Sequence, residues 1–108
     1  MHWTVEAWNE RVVDEIARLP SDMQARYGRI ANLLIQYGPQ DVGMPYVRSL
    51  GDKLWEIRLS GRSGIGRIIY VAASGRRLIL LHAFIKKTQE TPYRALAIAR
   101  TRLKEILP

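Results

Sequence analysis

The second half of the chain sets cations beside apolar, strand-like sequence, and those cations are where chemistry could arise. Arg58 alternates with Glu56 along Leu54-Trp55-Glu56-Ile57-Arg58-Leu59. Arg67 sits within Gly66-Arg67-Ile68-Ile69-Tyr70, flanked by residues that make it awkward to solvate. Lys86 and Lys87 end the run Leu81-His82-Ala83-Phe84-Ile85. An arginine embedded in an apolar strand needs an anion, because an unpaired buried guanidinium is costly. Glu56 is one partner available inside the chain. A phosphate is another, since the planar guanidinium fork suits phosphate oxygens. Each residue also has a plainer reading. Arg67 could merely organise the sheet through Glu56 or a backbone carbonyl, Lys86-Lys87 could be a solvated strand end, and His82 could be a core histidine fixed by one hydrogen bond. Tyr70, of opposite alternation parity to Arg67, reads as core.

The charge balance favours an anionic partner. Residues 1–52 hold five Lys/Arg against seven Asp/Glu, and residues 53–108 hold twelve against three. The second half is therefore at +9 within a total of +7. Such asymmetry points to nucleic acid more readily than to mere solubility. Cysteine is absent, which removes disulfides, thiolate catalysis and cysteine-ligated zinc. With His2 and His82 as the only histidines, a histidine-rich metal site is not expected, and no cofactor is expected either. No apolar run reaches the roughly 18 residues that span a bilayer. The N-terminus lacks the basic and apolar regions of a secretory signal. The cytoplasm is the expected compartment, without membrane association.

The elements that must position these residues are read from periodicity. At 108 residues the chain is expected to be one domain, residues 1–108. Trp3–Trp8 reads as a short strand. Asn9 caps a helix carrying Val12, Ile16 and Leu19 on one face, and Pro20 stops it. Ser21 opens a second helix, with Gln24 completing a capping-box pattern. Its apolar face is Met23, Tyr27, Ile30, Leu34 and Tyr37, and Gly38-Pro39 ends it. The two helices are expected to form an antiparallel hairpin. A loop follows to Pro45, and beyond it the period falls from 3.6 to 2. Strands are expected at Tyr46–Leu50, Leu54–Leu59, Ile65–Ala73 and Arg76–Ile85, the last central and buried on both faces. A helix from Pro92 to Leu107 closes the chain, with Leu96, Ala99, Leu103 and Ile106 on one side and Arg94, Arg100, Arg102 and Lys104 around the rest. The fold class is α+β: an N-terminal strand, a helical hairpin, an antiparallel β-meander and a C-terminal helix.

Here the residues meet a family. Lys53-Leu54-Trp55-Glu56-Ile57-Arg58-Leu59, then Gly66-Arg67-Ile68-Ile69-Tyr70, then Leu81-His82-Ala83-Phe84-Ile85-Lys86-Lys87-Thr88-Gln89-Glu90-Thr91-Pro92 resemble the HigB branch of the RelE/ParE toxin superfamily. The Lys-Lys-Thr-Gln-x-Thr-Pro run after an apolar strand is the most specific part. The resemblance implies a microbial RNase-type, RelE-like fold and a toxin of a type II toxin–antitoxin system. Ribonuclease members cut mRNA on the translating ribosome without a metal. A helix-turn-helix, HigA-like antitoxin neutralises the HigB type. By position, Arg67 matches the phosphate-stabilising arginine, and Arg58 one of two basic residues on the preceding strand. Lys86-Lys87 match the basic cluster after the last strand, and Tyr93 falls where some members place a tyrosine important for cleavage. Arg48, Lys53, Arg62 and Arg94 are the accompanying RNA contacts. Glu56 is a departure, standing where some members carry the other basic residue.

Metal-free RNA cleavage would use the substrate's own 2′-hydroxyl as nucleophile. It needs a base, a clamp for charge on the phosphoryl oxygens, and an acid for the leaving 5′-oxygen. Arginine stays protonated, so Arg58 and Arg67 are clamps. A lysine whose pKa is lowered by neighbouring cations can be base or acid, and Glu56 and His82 compete for the role of base. Two other readings remain at this level: a non-catalytic, ParE-like toxin that binds a protein such as DNA gyrase, and a phage-derived nucleic-acid-binding accessory protein without activity.

Overall fold

The computed structural model describes residues 2–87 and 91–106. Thr88-Gln89-Glu90 of the basic motif, and Leu107 at the expected end of the last helix, lie outside the described residues. The elements run β1 (Thr4–Ala7), α1 (Glu10–Ala17), α2 (Ser21–Tyr37), α3 (Pro39–Val42), β2 (Val47–Gly51), β3 (Leu54–Arg58), β4 (Ile65–Ala73), β5 (Arg77–Lys86) and α4 (Tyr93–Ile106). The α+β class expected from periodicity holds. One five-stranded sheet has the order β1-β5-β4-β3-β2. Strands β2 to β5 are the antiparallel meander, and β1 adds to its far side parallel to β5. Alternation along single strands gives no sign of that parallel pairing.

Two cores result from the period-2 pattern. On one face, Ile57, Leu59, Ile68, Tyr70, Leu78 and Leu80 pack with Val12 of α1 and with Met23, Ile30 and Leu34 of α2. On the other, Leu54, Ile69, Val71, Ile79 and Leu81 pack against Ala95 and Ala99 of α4. The sheet is thus sandwiched by helices. Trp55 stacks on Tyr70 with ring centroids 6.3 Å apart, and burial pushes the Tyr70 phenol pKa up. No helix among the described residues is long and apolar enough to cross a membrane.

Local chemistry explains most helix ends and corrects one. The Asn9 side chain accepts from the Val12 N–H, as an N-cap should. The capping box expected of Ser21 and Gln24 does not form. Pro20 occupies the cap position of α2 without a side-chain bond. Gln24 instead turns back and donates to the carbonyls of Ala17 and Leu19, satisfying the end of α1. Tyr37, expected on the apolar face, is exposed and borders a hollow at the end of the sheet lined also by Trp3, Trp55 and Ala72. The loop expected after Gly38 contains the short turn α3. Gly38 itself has φ +82°, and an added Cβ would come within 2.6 Å of the Trp3 indole nitrogen. Only glycine fits there.

Gly28 is the opposite case. It lies exposed inside α2 with nothing within 4 Å of an added Cβ. Gly28→Ala should therefore stabilise the fold by about 1 kcal/mol, the helix-propensity difference. A thermal melt should shift upward by about 4–8 °C; an unchanged or lower midpoint would contradict this placement.

Candidate functional site

Four strands bring a cation each to the α4 side of the sheet. Register pairs Arg48 of β2 with Glu56 of β3, and Arg58 of β3 with Arg67 of β4. Lys86 of β5 pairs with Ile65, two residues from Arg67 on the same face. Cross-strand partners share a face, so these side chains converge. Glu56 lies at their centre and is fully buried. Its Oε2 meets Arg48 Nη2 at 3.2 Å and Arg58 Nη1 at 3.3 Å. Its Oε1 accepts from the Thr91 hydroxyl at 2.9 Å and lies 3.7 Å from Arg67 Nε. Among the described residues, one carboxylate faces three arginines and a lysine. The described residues of the site carry a positive excess.

Arg67 is the deepest of them, with no solvent exposure. Its Nη1 donates to the Ser60 hydroxyl at 2.9 Å and to the Gly66 carbonyl at 2.7 Å. Its Nε and Nη2 have no hydrogen-bond partner among the described residues. Burial, and then the nearby Arg58 and Arg48, press its pKa down, while Glu56 opposes them. Lys86, 5% exposed, is also pushed below the ordinary lysine range. Burial is the main cause, followed by Arg67, with Glu56 opposing and Arg48 and Arg58 adding to the fall. That displacement moves a lysine toward proton transfer near neutral pH. Arg48 and Arg58 form the rim, with 43% and 21% of their side chains exposed.

A bulge decides which lysine joins. The β4–β5 register pairs Tyr70 with Leu80 but Ile69 with His82, leaving Leu81 as an extra residue. The phase of β5 therefore changes at Leu81. Before the bulge, Leu78 and Leu80 face α1 and α2; after it, Ala83 does. Phe84 and Lys86 are thereby turned to the Arg67 side. Without the extra residue Ile85 would stand where Lys86 does. Lys87, exposed and one residue past the strand, makes no ion pair among the described residues.

Residues 14–104 match the family described as phage-derived protein Gp49-like. The chain belongs to this family. No curated protein matches the sequence. Two solved structures resemble the Gp49-like chain in fold. A mutant of the E. coli toxin RelE in the free state is 16% identical, with a TM-score of 0.64, covering 99% of this chain and 100% of the other. The archaeal RelE–RelB complex from Pyrococcus horikoshii OT3 is 23% identical, with a TM-score of 0.57, covering 79% and 96%. The RelE-like fold expected from sequence is thus borne out. Nothing in these likenesses singles out the HigB branch.

The other expected site residues of the Gp49-like chain fall elsewhere. Arg62 is exposed in the β3–β4 loop, at the same end of the sheet as Arg58 and Arg67. That loop is tied to α2, where Asp22 accepts from the backbone and hydroxyl of Ser63. Lys53 sits in the β2–β3 turn with φ +69°, at the opposite end of β3, about 17 Å along the strand from Arg58. Tyr93 is 83% exposed at the start of α4, two residues beyond Thr91. Arg94 is exposed beside a separate hollow lined by His82 and Phe84. Among the described residues no group of three or more His, Cys, Asp or Glu could hold a metal.

His82 joins a network that sequence reasoning missed. Glu15 Oε1 lies 3.0 Å from His82 Nδ1 and accepts the Ala83 N–H at 3.2 Å. Arg102, expected on the solvent side of α4, is instead buried and forks onto both Glu15 oxygens at 3.0 Å, while donating to the Leu81 carbonyl at 2.7 Å. The network covers backbone groups of β5 beyond its pairing with β1. Burial raises the Glu15 pKa, but bonds from Arg102, His82 and Ala83 outweigh it and the net direction is down. A carboxylate depressed on folding stabilises above its unfolded pKa, and that contribution is lost as pH falls through the folded value. Glu15→Gln should cost about 2 kcal/mol at neutral pH by stranding Arg102. Urea melts at pH 7 and pH 3 should show a mutant–wild-type gap that shrinks in acid; a constant gap would contradict the charge argument.

Proposed function

We propose that this chain is the toxin of a type II toxin–antitoxin pair and cuts mRNA on the translating ribosome without a metal or other cofactor. The observation that carries the reading is the convergence of Arg48, Arg58 and Arg67 on a single carboxylate, with Lys86 of a fourth strand on the same face. Membership of the Gp49-like family and the RelE-like fold support it. One structural relative is a complex with RelB, which supports an antitoxin partner here. That partner is taken to be the helix-turn-helix, HigA-like kind, and the compartment to be the cytoplasm. Residues 1–108 act as one unit.

In this reading Arg48 and Arg58 receive the scissile phosphate at the rim. Arg67 lies beneath, and its buried charge strengthens the field there, because a dry site screens little. Lys86 in its neutral form takes the proton from the 2′-hydroxyl, and the 2′-oxygen attacks phosphorus. The bond from phosphorus to the 5′-oxygen breaks, giving a 2′,3′-cyclic phosphate and a 5′-hydroxyl. The leaving oxygen takes its proton from Tyr93 or from water. His82 is held by Glu15 and is not the base.

Primer extension on messages isolated after brief induction of the chain in cells tests this function. Discrete cuts within translated messages are expected. Intact messages accompanied by a DNA-damage response would overturn it in favour of a gyrase-directed toxin.

A further inference from the structure

We infer that Glu56 is a positioning residue, which holds three mutually repelling guanidiniums at the spacing of a phosphate clamp and moderates the site's grip on RNA. The inference rests on the ribonuclease reading above and assigns a role to the one acidic member of the site among the described residues. Glu56 has no solvent exposure, and both its oxygens are engaged. Oε2 takes Arg48 and Arg58, and Oε1 takes Thr91 and faces Arg67. A carboxylate buried among guanidiniums, with a hydrogen bond already on each oxygen, is held in its weakly basic ionised form and closed to a substrate hydroxyl, which argues against the role of base.

Its partners come from β2, β3 and β4, and the start of α4 is tied down by Thr91. Arg48 lies half-exposed on the edge strand, and among the described residues its one ion pair is with Glu56. Without that charge Arg48 and Arg58 gain by turning to solvent, since long cationic chains recover rotamer freedom and escape repulsion. The same loss makes the site more positive. Alignment and attraction therefore move in opposite directions when Glu56 is neutralised, which a plain structural residue would not produce, whereas a base would also take the acidic limb of the pH–rate profile with it.

Glu56→Gln keeps the shape and removes the charge. Binding is measured with a 2′-O-methyl oligoribonucleotide, which has no nucleophile, and cleavage as a single turnover on ribosome-bound message. The variant should bind about threefold tighter, as expected for removing one charge at ~6 Å in water. Its salt dependence should steepen by about 0.7 in log–log slope. It should cut about 10²-fold more slowly, with the acidic limb of the pH–rate profile retained but moved to lower pH, because Glu56 no longer opposes the fall of the Lys86 pKa. Glu56→Asp should restore wild-type affinity and part of the rate. Thermal melts with added inorganic phosphate give a readout free of RNA: Glu56→Gln should gain more from phosphate than wild type. Weaker or equal binding, or loss of the acidic limb, would overturn the inference. A wild type that cuts no message, with the phosphate effect intact, would instead sink the ribonuclease reading alone. Should Glu56→Gln not fold, Glu56→Asp decides: wild-type affinity with slowed cutting supports the inference, and weakened affinity overturns it.

Discussion

Replacing Arg67 by alanine is expected to lower single-turnover cleavage of ribosome-bound message by about 10²–10³-fold, the usual loss when one donor to a developing oxyanion is removed. Growth arrest on induction should vanish with it. Arg67→Lys should fail to restore cutting, because an ammonium on a flexible stem does not reproduce the fork that binds Ser60, Gly66 and a phosphoryl oxygen together. The fold should survive. Removing a buried cation also removes its desolvation cost, and Glu56 keeps Arg48 and Arg58 as partners. Retained binding to the antitoxin would show that loss of cutting is not loss of structure. Undiminished growth arrest by Arg67→Ala would eliminate the clamp.

The second large effect separates two adjacent lysines. Lys86→Arg keeps the charge but cannot give up its proton, so the rate should fall about 10²–10⁴-fold. Lys87→Ala removes an exposed cation and should change the rate by no more than about threefold, the worth of a screened surface charge. The wild-type rate should rise with pH, because the base works in its neutral form, and level off once Lys86 is deprotonated. Its midpoint should lie below the ordinary lysine value, since burial and the neighbouring Arg67 disfavour the charged form. Lys86→Arg should lose this limb. Equal losses from Lys86 and Lys87, or a limb that persists in Lys86→Arg, would contradict the assignment.

Much of this site was legible because strand alternation has a fixed period. Glu56 and Arg58 had to share a face opposite Ile57 and Leu59, and Tyr70 had to oppose Arg67. Caps and breakers placed α1, α2 and α4 closely, since Asn9, Pro20, Gly38 and Pro92 act within one turn. What alternation cannot carry is a change of phase. The extra residue Leu81 lies in an unbroken run of Leu78-Ile79-Leu80-Leu81, so nothing local marks where the bulge falls. Lys86 and Lys87 consequently read as equivalent. Long-range pairing was equally hidden. Glu15 and Arg102 are 87 residues apart, and an arginine flanked by Thr101 and Leu103 looks like solvent-facing helix. The bond from Arg48 to Glu56 is hidden in the same way, because the β2–β3 register depends on the turn at Asp52-Lys53. Lys53, an expected RNA contact, is carried by the strand to the end opposite Arg58.

The most direct test is the chemistry of the cut ends. Programmed ribosomes and message are incubated with the purified chain, excess EDTA is added after ribosome assembly, and the termini are mapped at once. Attack by the 2′-oxygen within a cationic clamp predicts 2′,3′-cyclic phosphate and 5′-hydroxyl termini, formed at undiminished rate in EDTA on those ribosomes that remain intact. Termini bearing 3′-hydroxyl and 5′-phosphate, or cleavage abolished by EDTA on ribosomes that remain intact, would contradict it.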